Sequence, residues 1–193
     1  MARTEMFAAL RERQFRLLWI GQATSVFGNG LVPVALAFAV LGLTGSASDV
    51  GFVLAAETVP MVVFLLAGGV WADRLPRQLV MLGSDAIRGS CQATIAVLLL
   101  TDQARLWHLL ALSSIYGSAE AFFRPAATGL LPSTVGAPRL QQANALMGVS
   151  NSVASLAGPA IAGVLVGLAG VGVAFAADAG TFVVSGVSLA MLR

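Results

Sequence analysis

The 193-residue sequence predicts an all-α membrane protein whose chain crosses the bilayer six times, and three observations predict it. The first is composition: 58% of residues are hydrophobic and 10% charged, with a mean hydropathy of +0.87, where an ordinary soluble domain carries about 25% charged residues. Nine acidic and eleven basic side chains are too few to cover the surface such a chain would present to water. The second is length. Six apolar stretches, 17–43, 50–72, 79–100, 106–131, 143–169 and 171–192, each reach the roughly 20 residues a helix needs to cross a hydrocarbon core of about 30 Å. The third is the brevity of the connections, TGSASD, DRLPRQ, TDQA, PSTVGAPRLQQ and AGVG, which leads us to expect sequence neighbours to pack as antiparallel neighbours. Residues 1–16 are expected to form a cytoplasmic N-terminal segment ahead of a bundle over 17–193, with no removable leader.

Arginine placement sets the expected orientation, because basic residues near span ends favour the cytoplasmic side. Arg3, Arg11, Arg13, Arg16, Arg74, Arg77, Arg139 and Arg193 fall on one side if both termini are cytoplasmic, and only Arg105 falls on the other; Arg88 and Arg124 lie within spans. The chain has no lysine, so its small positive charge is a topological signal rather than a patch for nucleic acid. Trp19, Trp71 and Trp107 stand at span ends, where an indole prefers the headgroup level. His108 lies beside Trp107 and reads as an interfacial side chain.

Cys91 has no second cysteine, which excludes a disulfide framework and a thiolate metal site. An intramembrane enzyme would need a nucleophile with a base, or metal ligands, at membrane depth; a peripheral histidine and a solitary cysteine supply neither. No catalytic, cofactor or metal residue is expected.

Prolines interrupt spans at Pro33, Pro60, Pro125 and Pro159, each removing a backbone donor. Two fall in the first half and two in the second, which hints at a three-plus-three internal repeat of the kind transporters use.

Ionisable groups at bilayer depth cost at least about 2.5 kcal/mol on insertion scales, which makes an unexplained one a functional candidate. Glu57, Asp85, Arg88, Glu120, Arg124 and Asp178 qualify. Glu120 and Arg124, four apart, share a face of span four and are expected to turn inward as a pair. Asp85 and Arg88, three apart, can pair on span three. Glu57 and Asp178 have no partner in their own spans, so each must reach another helix, carry a proton or line water.

Two further patterns stand out. In the loop after span two, GGVWADRLPR, Gly69 lets a neighbouring backbone approach, Asp73 ends a helix whose dipole opposes it, and Arg74 and Arg77 form a basic turn. Asp73 is therefore expected to point at an arginine or at another helix N-terminus. In span five, Ala154, Gly158 and Ala162 make a line of small residues, and Gly163 and Gly167 make an adjacent one. Both tight packing within the bundle and the approach of an outside helix fit them. Asn144, Ser150, Asn151, Ser152 and Ser155 crowd its first half, positioned to bond across helices or to face water.

From about residue 12 onward these features resemble the N-terminal half of a major facilitator superfamily transporter, most like the exporters of macrolides and siderophores such as enterobactin. Gly69, Asp73, Arg74 and Arg77 follow that superfamily's loop motif. Gly158, Pro159 and Gly163, in GPAIAG, resemble the Gly-Pro signature of its proton-driven exporters, and FFRPAATGLLP, LQQANALMG and VAFAADAGTFVVS resemble the same branch. Pro76 stands where the loop motif has glycine, Gln78 where a basic residue is common, and Asn29 where many such exporters carry aspartate.

The resemblance implies one six-helix half of the fold, with a three-plus-three inverted repeat and a second six-helix bundle absent from this chain. It also implies proton-coupled efflux of an amphiphilic small molecule by alternating access, in a bacterial cytoplasmic (inner) membrane. Gln22, Asn29, Glu57, Glu120, Arg124 and Asp178 are the candidate cavity or coupling residues, with Glu120 carrying the proton. The loop aspartate and span five are expected to meet the second bundle, which is either a missing C-terminal half or another copy. The competing expectation is a non-transporting membrane subunit or a truncated, inactive transporter fragment.

Overall fold

The computed structural model describes the backbone of residues 7–192 and, apart from 7 and 67–73, their side chains. After a short 3-10 turn at Phe7–Arg11 the chain forms six long helices: α1 (Arg13–Thr44), α2 (Ala47–Arg74), α3 (Arg77–Leu100), α4 (Leu106–Thr134), α5 (Leu140–Ala169) and α6 (Val171–Ala190). The prolines lie inside continuous helices, where the long apolar runs on either side outweigh one lost backbone bond. The tightest reversal is a single residue. Gly170, at φ +88°, closes α5 by donating its N–H to Val166 O (3.0 Å) and starts α6 directly, in a conformation that a residue with a Cβ adopts only at a cost.

Among the described residues, four helical stretches are long and apolar enough to cross a membrane: Arg13–Thr44, Ala47–Leu66, Ala137–Ala169 and Val171–Ala190. The other two helices, α3 and α4, carry Arg77, Asp85 and Arg88, and Glu120 and Arg124. The six stretches are thus not alike, and the two less apolar ones hold the buried contact of Arg88 with Glu120.

Packing departs from the expected order of neighbours. The closest pairs are α2–α4, α3–α6, α1–α6, α1–α5 and α3–α4, whereas α1 barely touches α2, α2 barely touches α3, and α4 barely touches α5. A short loop joins two helices at one end only and does not oblige their faces to meet. Backbone proximity decides instead. A Cβ at Gly117 of α4 would strike the Glu57 carbonyl of α2, and one at Gly158 of α5 would lie 2.7 Å from Gly30 of α1. Exchanging α1, α2 and α3 with α4, α5 and α6 maps this set of closest pairs onto itself.

Two apolar layers bracket a polar one. At the end holding the start of α1, Phe15, Leu18, Met81, Leu131 and Leu189 cluster; at the other end Leu36, Val40, Val53, Leu109 and Phe175 do so. Between them Cys91, Tyr116 and Phe182 form a small cluster, beside the buried Asp85, Arg88, Gln92, Asp178 and Ser185.

The end bearing α1's start is laced with polar ties. Glu12 accepts from Gly136 N–H (3.1 and 3.2 Å) and pairs with Arg139 (3.0 Å). Gln78 donates to the carbonyls of Leu189 (2.7 Å) and Leu192 (3.3 Å), occupying acceptors that a helix C-terminus leaves without intrahelical partners. A glutamine where the resembling motif carries a base therefore has a definite use. Pro76 caps the start of α3 at φ −55°, and its carbonyl accepts from Leu79 and Val80.

Candidate functional site

The polar layer is organised by Arg88, which is 1% exposed. Its guanidinium pairs with Asp85 one turn earlier on α3 and with Glu120 on α4. It lies 4.1 Å from the Phe123 ring centroid and 4.8 Å from that of Phe182, so aromatic faces meet the charge where acids do not. Its Nε has no partner among the described residues. Asp85 accepts a second bond from Ser185 Oγ of α6 (2.6 Å), and the other oxygen of Glu120 accepts from Arg124 Nε (2.8 Å). Ser185, Asp85, Arg88, Glu120 and Arg124 thus form one chain of contacts across α6, α3 and α4. Two acids and two arginines balance formally, and each charge has a hydrogen-bonded counterpart, the condition under which buried ions are tolerated.

This chain of contacts runs from a dry interior to an open cavity. The Glu120 side chain is 13% exposed and that of Arg124 is 60% exposed. Sequence spacing led us to expect Arg124 to turn inward with Glu120; the pair forms, but the inward partner of Glu120 is Arg88, and Arg124 faces the opening. Around it lies a cavity of about 530 Å³ lined by Gln22, Asn29, Arg88, Glu120, Phe123, Arg124 and Asn151. A second cavity of about 240 Å³ shares Asn29, Glu120 and Arg124 with it and adds Glu57, Tyr116 and the apolar Val32, Leu36 and Leu54. Tyr116 donates to Asn29 Oδ1 (2.9 Å), tying α4 to α1 at the boundary between the two. A cleft of similar size between α3 and α6, about 520 Å³, has small and apolar walls, and its single carboxylate, Asp85, is already paired.

Of the candidates, Gln22, Asn29, Glu57, Glu120 and Arg124 meet at these cavities. Asp178 does not. It is fully buried behind α1, which crosses it at Gly28, where a Cβ would collide with Asp178 Oδ1 and Thr181. One carboxylate oxygen accepts from Thr181 Oγ1 (3.4 Å), and the other has no partner among the described residues. Its depth in the sequence led us to expect Asp178 to reach another helix, carry a proton or line water; the fold places it in the helix core, away from both cavities.

Spacing alone did not suggest the contact between Arg88 and Glu120. A signal for it existed: Arg88 lies twelve residues before the end of α3 and Glu120 fourteen after the start of α4, similar depths on either side of a short loop.

Of the loop and helix-packing residues, Arg77 and Gly158 make contacts within the bundle. Gly69, Trp71 and Asp73 lie outside the residues whose side chains are described, and Arg3 and Arg193 outside the described residues. Arg74 is exposed. Arg77 donates to Gly129 O of α4, and its guanidinium occupies the space a Cβ at Gly129 would need. Ala154, Gly158 and Ala162 are buried, with Gly158 against Gly30, so this line of small residues serves the contact with α1 rather than an outside helix. At Gly163 and Gly167 a Cβ would meet nothing within 4 Å, and Pro159 is exposed. Asn144, Asn151 and Ser155 bond carbonyls of their own helix, whereas Ser150 receives the Trp19 indole N–H from α1 (3.0 Å). Trp19 is therefore a cross-helix donor as well as a residue near a span end. His108 accepts from the Arg105 backbone N–H (3.1 Å), closing the first turn of α4.

Comparison with known proteins gives the same frame. The profile of the family described as transmembrane secretion effector matches residues 4–193. Macrolide efflux protein A of Streptococcus pyogenes is 24% identical over 180 residues, covering 93% of this chain and 44% of the relative. Multidrug efflux pump Tap of Mycolicibacterium fortuitum is 30% identical over 183 residues, 92% of this chain and 44% of the relative. Enterobactin exporter EntS of Shigella boydii is 33% identical over 174 residues, 88% of this chain and 41% of the relative. The chain spans less than half the length of these curated relatives. Its apolar helices make it an integral membrane protein, and by the match along nearly its whole length it belongs to the transmembrane secretion effector family of the major facilitator superfamily.

Proposed function

We propose that this chain is one six-helix half of a proton-coupled exporter of amphiphilic small molecules, which works by alternating access against a second six-helix bundle. The observation that carries the reading is Arg124. It lies near the middle of α4, is 60% exposed and holds Glu120. A guanidinium at that depth is not stable against hydrocarbon, so it faces water within a cavity, and a cavity needs a second wall. The efflux activities named for the relatives point the same way. So does the exposure of α2 and α5, each packed mainly on one partner. The exchange symmetry of the packed pairs fits a three-plus-three repeat in which all six helices span the membrane. The arginine distribution favours an inner-membrane orientation with both ends of the bundle's chain cytoplasmic.

In this reading Glu120 couples the proton. Its two oxygens hold two different arginines, so a proton taken up there releases Arg124, the exposed one, and changes the charge presented to the cavity. The test is reconstitution in liposomes, with oligomeric state fixed by cross-linking. Saturable, gradient-driven transport is expected only where a second bundle is present, and Glu120→Gln is expected to abolish uphill but not downhill movement. Transport by a strictly monomeric chain would overturn the two-bundle reading, and intact uphill transport by Glu120→Gln would remove Glu120 as the coupling group.

A further inference from the structure

We infer that Glu57 is the recognition carboxylate for a cationic group on the transported molecule, so that the smaller cavity selects organic cations. The inference rests on the export reading for the word transported, but the site itself stands on geometry. Asp85, Arg88, Glu120 and Arg124 satisfy one another, whereas Glu57 forms no ion pair with any described residue although it lines the same cavity. Counting the groups at and directly behind that wall, four acids, Glu57, Asp85, Glu120 and Asp178, face Arg88 and Arg124; Asp178 is sealed in the helix core, so Glu57 is the cavity-lining acid without an ion pair among the described residues. A lone carboxylate at bilayer depth is costly unless a cation or a proton joins it.

The carboxylate is also fixed in place. Glu57 sits at a close approach of α2 and α4, its backbone against Gly117 so tightly that no Cβ fits there, which makes its position a property of the packed pair rather than of a mobile loop. Around it the cavity offers two chemistries. Asn29 and Tyr116 supply a hydrogen-bonded polar pair, and Val32, Leu36 and Leu54 supply apolar surface. A ligand with a protonated amine beside an aromatic or aliphatic body matches both. An anion would find the cavity's one lining guanidinium, Arg124, already held by Glu120, and would meet the uncompensated Glu57 carboxylate.

The test uses two probes with the same aromatic body and opposite charge, 1-naphthylmethylammonium and 1-naphthylacetate, binding to the protein in lipid nanodiscs with empty nanodiscs subtracted. Saturable binding of the cation is expected, preferred over the anion by about tenfold or more, and Glu57→Gln is expected to remove that preference. Glu57→Lys is expected to invert it, a gain that misfolding cannot imitate. Equal cation affinity in the wild type and Glu57→Gln, preference of the wild type for the anion, or no saturable cation binding would each overturn the inference. Cation binding that survives Glu57→Gln but is lost in Glu120→Gln would also overturn it, moving the site while leaving the export reading standing. Cation binding that depends on Glu57 in a protein without gradient-driven transport would support the site and count against export.

Discussion

The α1–α5 seam and the α3–α4 seam join helices by opposite means. At the first, glycine faces glycine: Gly158 lies against Gly30, flanked by Ala154 and Ala162, and the helices meet backbone to backbone. At the second, the helices meet through a buried guanidinium and its carboxylates. Small-residue packing needs no compensation and is sensitive to added volume. The charged seam is sensitive to subtraction, because removing one member strands the others. Well-packed apolar residues of similar volume often replace a buried ion pair without loss of stability, so a seam that keeps its charges, and leads them out to an open cavity, points to use rather than to adhesion.

Breaking each seam should expose that contrast. The largest effect is expected from Arg88→Ala, which leaves Asp85 and Glu120 buried without their cation and should cost about 3–5 kcal/mol. The combined Arg88→Met, Asp85→Asn and Glu120→Gln variant should recover most of it. Unfolding followed by heating in detergent measures both, and equal losses in the single and the triple variant would mean that the charges do not act as a unit. Next comes Gly158→Val, which forces α1 and α5 apart and should cost about 1–3 kcal/mol, whereas Gly163→Val, on the open line, should change stability by no more than about 0.5 kcal/mol. Similar losses at both sites would show that both lines are packed. Smallest is Trp19→Phe, which removes the cross-helix bond to Ser150 and should cost about 0.5–1.5 kcal/mol; a Ser150→Ala variant should lose a similar amount, and the double variant little more than either.

Much of the fold was legible because its signals are local. Apolar run length located all six helices to within a few residues over most of their ends, since a helix satisfies its own backbone wherever it lies. Their partners were not legible, because a loop such as TGSASD reports only that two ends are near each other, while the packing of α2 on α4 depends on what a glycine at 117 allows. In the site, Glu120 with Arg124 and Asp85 with Arg88 could be read from helical spacing. The joining of the two pairs depends on two helices lying side by side at matching depth, which no single-helix period encodes. Asp178 looked like a cavity acid because charge at membrane depth is rare, and its burial behind Gly28 is a property of tertiary packing alone.

The central claim, that Arg124 faces water inside a cavity rather than lipid, has a direct test. In a Cys91→Ala background, Arg124→Cys and Val183→Cys place single thiols at two exposed positions, Val183 being 66% exposed on α6. A charged, membrane-impermeant methanethiosulfonate reacts with the thiolate, which forms only where water reaches. Rapid modification at position 124 with little at 183 is the predicted result. An unreactive thiol at 124, matching that at 183, would place this face against lipid and contradict the account.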